Sequence, residues 1–66
     1  MTQGKIELDP LAARIEEALI VSGLSATRFG YTHFGDPAFI KKMREGRKFR
    51  TRVAERIEDV LEQIGV

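Results

Sequence analysis

Seven of the twelve residues from Lys41 to Arg52 are lysine or arginine, and only Glu45 among them is acidic. A cationic block this dense serves either as a solvated face or as a footprint for phosphates. The distribution of charge along the chain favours phosphates. Net charge is only +1 over 66 residues, but residues 1–35 sum to −1, residues 36–56 to +5 and residues 57–66 to −3. A basic centre framed by acidic ends is the electrostatic pattern of a nucleic-acid contact. A membrane-surface helix would need a broad apolar face beside its charges, and Gly46 interrupts this segment. Other chemistry is sparse. There is one histidine, His33, and no cysteine, so no metal cage is expected. Phosphate-loop and dinucleotide glycine patterns are absent. The expectation is a binding module with no catalytic site, cofactor, metal or small-molecule ligand.

The elements that position these charges must come from a single small domain. Ordering 66 residues costs on the order of 100 kcal/mol at about 1.5 kcal/mol each, and a core of this size offsets that narrowly. With no disulfide available, stability must come from packing or from association. The longest apolar run, Ala18 to Val21, is far short of the ~20 residues of a membrane span, and MTQGKIELDP has no charged-then-apolar leader pattern. A cytoplasmic, nucleoid-associated protein with no membrane partner is expected. Residues 1–8 read as a tail or short arm, in which Ile6 and Leu8 alternate with polar neighbours, and residues 9–66 as the domain.

Four short helices are predicted. The first is capped by Asp9 with Pro10 in the first helical position, buries Leu11, Ile15, Ala18 and Leu19, and stops at Gly23. The second is capped by Ser25 and runs from Ala26 to about Phe34. Its Gly30 is costly in a helix unless another helix comes close. Gly35 ends it. The third repeats the opening device with Asp36 and Pro37, buries Phe39, Ile40 and Met43, and ends at Gly46. Arg47 to Arg50 form a basic loop with Phe49 tucked inward. The fourth runs from about Thr51 to Ile64 on a stripe of Val53, Ile57, Val60, Leu61 and Ile64. Phe29, Phe34, Phe39 and Phe49 are expected in the core, so base stacking on exposed rings is not expected.

Two short helices joined by a glycine-containing turn are the signature of a helix-turn-helix. The segment GLSATRFG…FGDPAFIKKMREGR resembles helix 2, the turn and helix 3 of the superfamily that includes lambda phage repressor and Cro. Ser25 precedes helix 2, Phe29-Gly30 matches a hydrophobic-then-small pair, Ile40 and Met43 match buried helix-3 positions, and Gly46 follows. The resemblance covers roughly residues 11–64. It implies an all-α, compact helix-turn-helix domain that acts as a small bacterial or phage transcriptional regulator, most simply a repressor. Helix 3, about 37–45, would lie in the major groove of double-stranded DNA.

On that reading, base contacts fall to Ala38, Lys41, Lys42 and Arg44; because Pro37 and Ala38 carry no hydrogen-bonding side chain, hydrogen-bonded readout falls to the last three. Ala38 suits a thymine methyl, and Lys41 or Arg44 suits guanine O6 and N7. Thr27, Arg28 and Tyr31 in the second helix and Arg47, Lys48 and Arg50 in the loop are expected on phosphates. A domain this small reads a specific site best as a homodimer on an inverted repeat, and Val60, Leu61, Ile64 and Val66 are the expected dimer contacts. A second reading from a different class is a protein-binding module, such as an antitoxin or anti-activator, that uses the same helices to grip a partner.

Overall fold

The structure, a computed structural model, describes residues 8–66; the expected arm residues before Leu8 lie outside that range. Four helices follow one another: α1 Ala12–Ser22, α2 Ala26–Phe34, α3 Phe39–Arg44 and α4 Thr51–Ile64. Among the described residues there is no strand. No helix among them is long and apolar enough to cross a membrane. The second and fourth helices have the expected bounds.

The first and third helices begin later than the Asp-Pro pairs predict, and for one reason. In each case the aspartate closes a turn before the helix proper. Asp9 accepts the Leu11 N–H on Oδ1 at 3.0 Å and the Ala12 N–H on its carbonyl at 2.8 Å. Asp36 does the same with Ala38 at 2.9 Å and Phe39 at 3.0 Å. The proline therefore sits in the turn, where its missing donor costs nothing, and regular helix starts two residues on. Ser25 caps α2 as expected, accepting the Arg28 N–H at 3.1 Å.

The helical stripes meet in one core. Ile15 and Ala18 from α1, Phe29 from α2, Phe39, Ile40 and Met43 from α3, and Ile57 and Leu61 from α4 are all buried. The helices pack α2 on α3, α1 on α4 and α1 on α2. Of the four phenylalanines, Phe29 and Phe39 are buried, while Phe34 and Phe49 are half-buried. Phe34 stacks on Phe39 at 4.0 Å between ring centroids, and Phe39 on Phe49 at 5.4 Å. His33 lies against Phe29 at 4.6 Å.

Gly30 explains how α2 and α3 come so close. A Cβ at this position would stand 2.4 Å from the Asp36 carbonyl oxygen and 3.1 Å from Phe39 Cβ. Only glycine lets the turn cross there. At the end of α2, Gly35 takes the left-handed conformation at φ 66°, and the Asp36 N–H donates back to the Gly30 carbonyl at 3.2 Å. Glycine in mid-helix is thus the pivot of the α2–turn–α3 unit.

Candidate nucleic-acid interface

The expected contact residues fall into two electrostatic groups. Lys41, Lys42 and Arg44 of α3 each have a carboxylate partner within the chain. Lys41 Nζ lies 3.9 Å from Glu45 Oε2 and Lys42 Nζ 3.3 Å from Asp36 Oδ2. Arg44 is held most firmly, donating from Nε at 2.7 Å and from a terminal nitrogen at 2.8 Å to the two oxygens of Glu16 on α1. This fork-on-fork geometry is the strong form of the pair. The Arg44 hydrogen bond holds the Glu16 carboxyl below its usual range, and Glu16 in turn raises the Arg44 guanidinium. The Arg44 guanidinium thus joins α3 to α1 while its side chain stays half exposed.

Lys41 is the least committed of the three. Its side chain is 78% exposed and its partner distance is long. Ala38 is half-buried at the start of α3 and spends its N–H on Asp36. That bond is the main reason the Asp36 carboxyl sits below its usual range, with Lys42 and Arg47 adding to the effect.

Arg47, Lys48 and Arg50 lie exposed in the loop between α3 and α4, and among the described residues none of them forms an ion pair. The loop backbone is nonetheless fixed. The Arg47 N–H donates to the Lys42 carbonyl at 3.1 Å. The Phe49 N–H donates to Asp9 Oδ2 at 3.0 Å, forty residues away in sequence. The bonds from Leu11 and Phe49 keep the Asp9 carboxyl below its usual range. The loop thus presents three unpaired cations from an anchored backbone. Thr27, Arg28 and Tyr31 are exposed on α2.

The expected dimer stripe is corrected in part. Val60 and Leu61 are buried inside the chain, at 5% and 0% exposure, because α4 spends that stripe on covering α1 and the core. Ile64 and Val66 are half-buried and also pack against the core. The large apolar side chains that do reach solvent lie elsewhere: Ile20 at 79% and Val21 at 59% on α1, together with Leu8 and Tyr31.

Two contributors escape a sequence reading. Glu16 gives no sign of its tie to Arg44, which lies twenty-eight residues away. Arg56 donates to the His33 carbonyl at 3.0 Å and so closes the end of α2. The available signal was the spacing of Arg52 and Arg56, which places two like charges on one side of α4 at i, i+4 against ordinary helix preference. Among the described residues no cluster of histidine, cysteine or carboxylates could hold a metal ion. No family model matches the chain, and no curated protein or solved structure is significantly similar to it.

Proposed function

We propose that the chain binds double-stranded DNA as a small transcriptional regulator of the lambda repressor and Cro type. The observation that carries this reading is the anchored loop with Arg47, Lys48 and Arg50 exposed and, among the described residues, in no ion pair, directly after a short helix pivoted on Gly30. In this reading the loop holds phosphates, Arg28 and Thr27 add contacts from α2, and Lys41 reaches base edges with Lys42 beside it. Phosphate contacts set position and most of the affinity, and base contacts set sequence choice. Arg44 has a structural task. A homodimer on an inverted repeat belongs to the same proposal, with Ile64 at the end of α4 and Val66 just beyond it left as its contacts.

The test is selection of bound duplexes from a random pool, followed by anisotropy of the selected and a scrambled duplex at two salt concentrations. Tight, selective binding that weakens steeply with salt is the expected result. Lack of binding to any duplex at low salt would overturn the proposal. The exposed pair Ile20 and Val21 favours the second reading, a protein-gripping module. In that case Ile20→Ser would abolish partner capture while substitutions in the loop would leave it intact.

A further inference from the structure

A groove of about 400 Å³ lies between the α2–α3 turn and the start of α4. Its apolar lining comes from the half-buried Phe34 and Val53, with the buried Phe39 stacked beneath Phe34 at 4.0 Å. Three arginines, Arg47, Arg52 and Arg56, also line it. The one acid on the rim, Asp36, has both oxygens committed, one to the Ala38 N–H and the other to Lys42 Nζ. Its charge acts on Arg47 as well, which leaves Arg52 and Arg56 as the less compensated cations. Arg56 is steadied by its bond to the His33 carbonyl, while among the described residues Arg47 and Arg52 have no carboxylate within ion-pair distance.

The volume is at the small end of the range for ligand sites, about 300–1,000 Å³. An apolar floor with a few cationic groups around it is also the usual make-up of such a site. Guanidinium groups bind carboxylates in a planar fork, and phenylalanine rings prefer an offset stack with another flat ring. The two features select the same kind of molecule, one with a flat apolar body and a single anionic end.

We infer that this groove is a binding site for a small aromatic carboxylate, whose ring lies on Phe34 and Val53 and whose carboxylate is held by Arg52 with Arg47 or Arg56. Arg47 is shared with the loop proposed to meet DNA, so an occupied groove weakens DNA binding; that consequence alone rests on the DNA reading.

The site itself is tested without DNA. The native chain is titrated with 2-naphthoate while backbone amide shifts are followed by NMR, with 2-naphthol and acetate as probes lacking the charge or the ring. The expected result is saturable shifts at Phe34, Phe39 and Val53 with naphthoate, and at least tenfold weaker binding of the other two probes. Arg52→Gln should weaken naphthoate at least fivefold, whereas Arg50→Gln, a neighbouring exposed cation outside the groove, should leave it unchanged. Phe34→Leu should weaken it with the fold intact by circular dichroism. Equal shifts from acetate would mean nonspecific anion attraction, and shifts centred on Ile20 and Val21 would mean adsorption to the exposed apolar pair. Either result, or no saturation at millimolar naphthoate, would overturn the inference.

Discussion

Helix α3 and the loop that follows it carry the same number of cations and use them in opposite ways. The three on α3 have internal carboxylate partners, at 3.9 Å for Lys41, 3.3 Å for Lys42 and 2.7 Å for Arg44. The three in the loop, Arg47, Lys48 and Arg50, have none among the described residues. A cation that is already paired must give up its partner before it gains a phosphate, so its net contribution to binding is small. An unpaired cation releases counterions and contributes in full. On the proposed DNA reading, this difference places affinity in the loop and gives α3 a geometric role with one freer side chain, Lys41.

The largest expected effect removes the platform shared by both regions. Gly30→Ala places a methyl against the Asp36 carbonyl oxygen and should cost about 3 kcal/mol in denaturant unfolding. At about 0.05–0.15 kcal/mol per residue a chain of this length has about 3–10 kcal/mol in all, so the loss removes from about a third to nearly all of it. An unchanged midpoint would mean that the α2–α3 crossing is looser than described.

The next effect separates the regions. Replacing Arg47, Lys48 and Arg50 together by alanine should weaken DNA binding by about 500-fold near 0.1 M salt, at about 0.9 in log–log slope per lost phosphate contact. Its unfolding midpoint should barely move, since exposed substitutions change stability by about 0.5 kcal/mol or less. Lys41→Ala is smaller, on the order of tenfold, and should show itself as lost discrimination between selected and scrambled duplexes.

Arg44→Ala should behave differently from both. It breaks a partly exposed pair worth at most about 1 kcal/mol, so a small loss of stability and less than about a threefold change in DNA binding are expected. A large loss of sequence selectivity would return Arg44 to the base-reading set.

The smallest effect is on pH. Asp9, Glu16 and Asp36 are all held below their ordinary values in the folded chain. A carboxyl lowered on folding adds stability above its unfolded value and loses it as pH falls through the folded one. Thermal stability should therefore stay level from neutral pH down to about pH 5 and then decline through the carboxylate range and below it. Glu16→Gln should flatten part of that decline.

The two regions also differ in how much of them is written in local sequence. The Asp-Pro pairs, the Ser25 cap and the glycine stops locate the helices to within about two residues because each acts within a few residues of chain, and Gly30 signals a close crossing because a mid-helix glycine is otherwise costly. The loop is legible for the same reason: consecutive cations beside Phe49 leave little choice of which side faces in. What α3 does with its charge is decided by partners that the fold brings in. Glu16 reaches Arg44 only when α1 lies beside α3, and Val60 and Leu61 look like a spare stripe until α1 covers them. The tie from Arg56 to His33 is likewise a product of packing. A helical wheel counts the apolar positions on α4 but not how many of them the core consumes.

The division of labour between the paired helix and the unpaired loop is tested most directly by the salt dependence of DNA binding, measured as log K against log salt for the native chain, the triple loop variant and Arg44→Ala. The expected slope falls by about 2.7 in the loop variant, three contacts at about 0.9 each, and stays at the native value in Arg44→Ala. Equal slopes for the native chain and the loop variant would contradict the assignment of phosphate contact to Arg47, Lys48 and Arg50.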